Sequence, residues 1–125
     1  MALVGVGGVG GTIASVLDHA GQCDLTLVAR GATLEVLEDR GLTVLSGDEG
    51  ASTILRCRPR CVSIDATTDA GPQDFLFLVT KAHQLPPMLD SLLPLIGPAT
   101  TVVTCSKYQY TLTHPPPQLD FQGCF

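Results

Sequence analysis

Apolar residues in this chain fall into short blocks separated by glycine, proline and charge, and the spacing inside each block assigns it to a strand or a helix. Residues 3–5 read as a short apolar strand running into glycines. Val9, Ile13, Val16, Leu17 and Ala20 then recur at helical spacing, predicting a helix that buries this face, with Gly21 as its C-terminal cap. Residues 24–30, DLTLVAR, form a second strand around Leu25, Leu27 and Val28. Residues 32–40, ATLEVLEDR, form a short helix on Leu34 and Leu37, closed by Gly41. LTVLS (42–46) is a third strand, GDEGAS (47–52) a turn, and STILRCRPRCVSID (52–65) a hairpin or meander bending near Pro59.

DFLFLVT (74–80) is apolar almost throughout, as a strand buried on both faces should be. Residues 81–97 predict one helix with Leu85, Met88, Leu89, Leu92 and Leu95 on its inner face. Pro86 and Pro87 fit its first turn, where a missing N–H does little harm, and Gly97-Pro98 stops it beyond Pro94. TTVVTC (100–105) is a further buried strand. Strands alternating with helices define an α/β fold: a doubly wound, mostly parallel Rossmann-type sheet in a single domain over residues 1–104. Residues 105–125, with Pro115-Pro116-Pro117, are expected to be an irregular tail.

The first strand leads into Gly5-Val6-Gly7-Gly8-Val9-Gly10, a G-x-G-x-x-G match set between a strand and a helix. Gly5 permits the tight turn, Gly7 lets the backbone approach a pyrophosphate, and Gly10 lets the helix pack close to the sheet. The helix N-terminus would face the phosphates with free N–H groups. This context points to a dinucleotide. Arg30 stands about twenty positions beyond the loop, where a carboxylate would grip an NAD ribose. Its planar guanidinium suits a 2′-phosphate instead, so the expected cofactor is NADPH. Asp24 lies at the opposite end of that strand. Lys81 follows the buried DFLFLVT strand and can reach cofactor ribose or phosphates, with Gln84 facing the same crevice.

The remaining composition mainly excludes. Hydrophobic residues are 45% and charged residues 15%, which argues against disorder. Apolar runs are too short for a membrane span, and no export leader is apparent. A net charge of −5 disfavours nucleic acid and anionic membrane as partners. Five scattered cysteines make a poor disulfide framework and fit reduced thiols in a cytoplasmic protein. Cys57 and Cys61 lack the companions of a zinc site, so no metal is expected. His19, His83 and His114 have no nucleophile partner in sequence, and no catalytic residue is assigned.

Taken together, GVGGVGG, LTLVARG, FLFLVTKAHQL and LLPLIGPATTVV resemble the N-terminal NADP-binding domain of the ketopantoate reductases (2-dehydropantoate 2-reductases) over residues 3–103. The resemblance implies NADPH-dependent reduction of 2-dehydropantoate to pantoate, in pantothenate biosynthesis. It carries the family's cofactor contacts onto the loop Gly5 to Gly10, Arg30, Lys81 and Gln84. It departs in two places. The family's asparagine turn after the last strand is replaced by Thr104-Cys105-Ser106-Lys107-Tyr108, and the sequence holds no asparagine. The family's helical C-terminal domain, which supplies a proton-donating lysine and most substrate contacts, has no counterpart before Phe125. The alternatives to a reductase are therefore a non-catalytic NADPH-binding module or a truncated product without activity.

Overall fold

The structure, a computed structural model, describes residues 1–46 and 53–105; the expected turn at 47–52 and most of the expected tail lie outside them. In chain order the elements are β1 (Ala2–Val4), α1 (Gly8–Ala20), β2 (Thr26–Ala29), α2 (Gly31–Arg40), β3 (Leu42–Ser46), β4 (Thr53–Cys57), β5 (Arg60–Ser63), β6 (Phe75–Leu78), the four-residue α3 (Leu89–Leu92) and β7 (Thr101–Thr104). A five-stranded sheet runs β5-β2-β1-β6-β7, and every pairing in it is parallel. The fold is thus the α/β Rossmann-type sheet that the sequence predicts.

Strand side chains alternate between two faces, and each face has its own core. Ala2, Val4, Val28, Leu76 and Leu78 join Met88, Leu92 and Leu95 on one side. Leu3, Leu27 and Ala29 join Ala14 of α1 and Leu37 of α2 on the other. Coverage of both faces is what parallel sheets require.

Several local expectations are corrected. In α1 the face against the sheet is made of small residues, Gly10, Gly11, Ala14 and Ser15, with Ile13 and Leu17 packed beside them; Val9 and Val16 are more than half exposed. The cause is the close approach at Gly10, which leaves no space beneath the helix for a branched side chain. Residues 53–65 do not fold back on themselves. β4 pairs antiparallel with β3 in a separate two-stranded sheet, and β5 pairs parallel with β2. Arg58 and Pro59 break the strand between them, and Arg58 turns its guanidinium to the Asp39 carbonyl at the end of α2.

The predicted helix over 81–97 is a chain of short turns: 3-10 turns at Ala82–Gln84, Pro86–Met88 and Leu93–Leu95, with α3 between the last two. Pro86 and Pro87 open one of these turns and Pro94 sits in another; each removes an N–H that a continuous helix would use. The inward face holds nonetheless, since Met88, Leu92 and Leu95 are buried. β6 is fully buried on one face, through Leu76 and Leu78; on the other, Phe77 is half-buried against the second core and Phe75 is 44% exposed. β7 is half-buried rather than buried, because it pairs with β6 alone among the described residues.

Candidate functional site

Because the strands are parallel, their carboxyl ends converge on one edge of the sheet. Gly5 follows β1, Arg30 follows β2, Ile64 follows β5, and Val79, Thr80 and Lys81 follow β6. A cleft of about 430 Å³ opens at that edge. Its lining includes Gly5, Val6, Gly7, Gly8, Val9 and Gly10 from the loop, Arg30 from β2's end, and Lys81 and Gln84 from beyond β6. All nine residues singled out in the sequence therefore meet in one place.

The loop geometry gives each key glycine a physical reason. Gly5 has φ +98°, a conformation that disfavours any side chain. A Cβ there would also stand 2.8 Å from the Thr80 amide nitrogen, so the loop lies directly against the chain leaving β6. A Cβ on Gly10 would fall 2.0 Å from the Gly5 carbonyl oxygen. Gly7 differs: a Cβ there would meet nothing within 4 Å, and its φ of −92° is ordinary. Open space in front of Gly7 is what a phosphate cradle needs. The Gly11 N–H closes the first helical turn on the Gly7 carbonyl at 2.7 Å. No acidic residue stands in that first turn, and no side chain caps it.

Arg30 is the N-cap of α2 by its backbone, with its side chain exposed at the cleft. Lys81 likewise precedes the 3-10 turn Ala82–Gln84 that carries Gln84. Arg30 and Lys81 are the cations of the lining, and no carboxylate among the described residues lines it. An acidic chain thus gathers two positive charges and an uncapped helix terminus at one edge. Asp24 lies at the far end of the sheet, where its carbonyl accepts from the Met1 amino group. His83 is exposed and outside the lining, and His19 occupies the last turn of α1.

Sequence reasoning missed other parts of the wall. Thr33 lines the cleft from the first turn of α2; its spacing of three from Arg30 was the available signal. Ile64 was hidden by reading β5 as a hairpin arm, since only a parallel strand brings its end to this edge. Met88 was assigned to the core, and it serves both. Cys57 and Cys61 are parted onto β4 and β5. Burial pushes both thiols above the ordinary value of 9.0, with the Asp18 carboxylate adding to the first and Glu38 to the second.

The doubly wound sheet with a glycine loop at its carboxyl edge defines a dinucleotide-binding fold. The family model "Ketopantoate reductase PanE/ApbA" matches residues 1–106, and the chain belongs to that family. A 2-dehydropantoate 2-reductase of Mesorhizobium japonicum is 38% identical over 102 residues, 82% of this chain and 29% of that protein. A glycerol-3-phosphate dehydrogenase [NAD(P)+] of Bradyrhizobium is 32% identical over 91% of this chain and 33% of its own length. A solved structure from Ralstonia solanacearum MolK2, described as a candidate ketopantoate reductase, superposes with a TM-score of 0.71 at 34% identity, over 84% of this chain and 30% of that one. The chain spans about a third of the length of these relatives. The family is one of nicotinamide-dependent oxidoreductases.

Proposed function

We propose that this chain forms the NADPH-binding part of a 2-dehydropantoate 2-reductase, with residues 1–104 as the cofactor domain in a cytoplasmic protein. The observation that carries the reading is the cleft itself, lined by the open glycine loop, by Arg30 and Lys81, and by no carboxylate among the described residues. The two curated relatives are named for different substrates, yet both resemble the chain over this stretch. A stretch common to proteins named for different substrates fits a cofactor domain better than a substrate site.

The residues present fit that cofactor. The loop from Gly5 to Gly10 offers backbone N–H groups and, at Gly7, unfilled space for a pyrophosphate. Arg30 holds the 2′-phosphate through a charge-assisted fork. Lys81 and Gln84 hold the ribose on the other side of the cleft. Val28, Ile64 and Met88 give the cleft an apolar floor that excludes water beneath the nucleotide. When bound, the cofactor supplies a hydride to the carbonyl carbon of 2-dehydropantoate. The chain's own share is to fix the cofactor's position for that transfer. No residue up to Cys105 is assigned as the proton donor, a role the family gives to its C-terminal domain.

The test is a fluorescence titration of the whole chain with NADPH and with NADH. NADPH should bind at least about a hundredfold more tightly, the expected gain from one bidentate phosphate–guanidinium pair. Equal affinity for the two would defeat the assignment of Arg30. Adding 2-dehydropantoate and following NADPH oxidation separates the two functional readings: binding without turnover restricts the chain to a cofactor-binding module.

A further inference from the structure

We infer that Thr33 is a second specificity-determining residue of this cleft, its hydroxyl joining Arg30 on the 2′-phosphate of NADPH. The inference rests on the reading of the cleft as an NADPH site. Thr33 follows Arg30 by three positions at the start of α2, so the two side chains are neighbours, and both line the cleft.

The donors of both side chains are unspent at the point where they meet the cleft. On α1 the Thr12 hydroxyl donates to the Gly8 carbonyl at 2.9 Å, and the Ser15 hydroxyl to the Thr12 carbonyl at 2.9 Å. Arg40 donates to the Asp39 carboxylate, Arg58 to the Asp39 carbonyl and Arg60 to the Asp69 carbonyl. Arg30 and Thr33 make no such bond among the described residues. No carboxylate stands in the first turn of α2 to compete for them.

A 2′-phosphate presents three acceptor oxygens. A guanidinium fork takes two, and a hydroxyl beside it can donate to the third. The neutral ribose hydroxyl of NADH lacks those oxygens. Thr33 therefore separates the two cofactors rather than strengthening both.

The experiment compares Thr33→Val, which keeps the shape and removes the hydroxyl, with Thr33→Ser, which keeps the hydroxyl. Affinities for NADPH, NADH, 2′,5′-ADP and 5′-AMP are measured on the whole chain, with Tm as a control on folding. Thr33→Val should weaken NADPH and 2′,5′-ADP by about tenfold, the loss of one hydrogen bond to a charged group. It should leave NADH and 5′-AMP unchanged, and Thr33→Ser should behave like the parent. Unchanged NADPH binding in Thr33→Val overturns the inference, as does an equal loss for all four ligands. Failure of the underlying reading looks different: the parent chain itself would then bind neither cofactor, or both alike. Should Thr33→Val not fold, Thr33→Ala carries the same comparison.

Discussion

The two walls of the cleft are built from different materials. The glycine wall is all backbone: Gly10 lies so close to the Gly5 carbonyl, and Gly5 so close to Thr80, that neither admits a methyl group, and Gly7 holds open the space in front. The wall at the end of β2 is side chain: Arg30 and Thr33 project from a helix start that would fold the same with other residues there. The difference divides the labour of recognition. A backbone cradle answers to pyrophosphate, which every dinucleotide carries, and at Gly5 and Gly10 it cannot be altered without altering the fold. A side-chain wall answers to the one group by which dinucleotides differ, and it can be exchanged at little structural cost.

Substitutions on each wall test that division. Gly10→Ala should have the largest effect. Its Cβ would have to displace the Gly5 carbonyl oxygen 2.0 Å away, and backbone cannot yield as a flexible side chain can. A loss of roughly 3 kcal/mol is expected, lowering Tm by about 10 °C or more in a thermal melt. An unchanged Tm would show that the loop is not the rigid half. Arg30→Ala should weaken NADPH by about a hundredfold while sparing NADH and Tm, since one charged bidentate contact disappears from an exposed position. Gly7→Ala should differ from each: an unchanged Tm, unlike Gly10→Ala, because the methyl meets nothing, and a loss of about tenfold for NADPH and NADH alike, unlike Arg30→Ala, because it occupies the phosphate's space.

The smallest effect serves as a control away from both walls. Only the thiolate of a cysteine is alkylated readily. Burial raises the Cys57 and Cys61 thiols, so at pH 8 they should react more slowly than the exposed Cys105, and saturating NADPH should not change their rates. Mass spectrometry of the alkylated chain reads this directly. The same shift sets a sign for stability. A native thiol that holds its proton longer than the unfolded one favours the folded state less as pH rises above the ordinary thiol range, so Tm should decline there.

The glycine wall was legible in the sequence because its logic is local. Three glycines at fixed offsets after an apolar strand state the turn, the approach and the packing at once. Arg30 was legible for the same reason, through its distance from the loop. What escaped depended on partners far along the chain. Nothing between residues 52 and 65 tells that Cys61 and Val62 will lie beside Leu27 and Val28 while Leu55 faces Val44. Hidden with that pairing was Ile64, whose place in the cleft follows from strand direction alone. The α1 face was misjudged because apolar spacing favoured Val9 and Val16, whereas close packing selected Gly10, Gly11, Ala14 and Ser15. The crossover after β6 was read as one helix because the inner face of Met88, Leu92 and Leu95 keeps helical spacing even where prolines break the hydrogen bonds.

The position of β1 has a consequence for how the chain assembles. Leu3 pairs with Leu27 on one side and with Phe77 on the other. The first of the described strands is thus the centre of the sheet. Its early neighbour arrives after a single helix, but its second cannot dock until most of the domain has been synthesised. Until then one edge of β1 stands open. Closing it is a contact between residues distant in sequence, the kind that is slow to form, and the cleft, which needs Gly5 seated against the chain leaving β6, comes into being only at that closure.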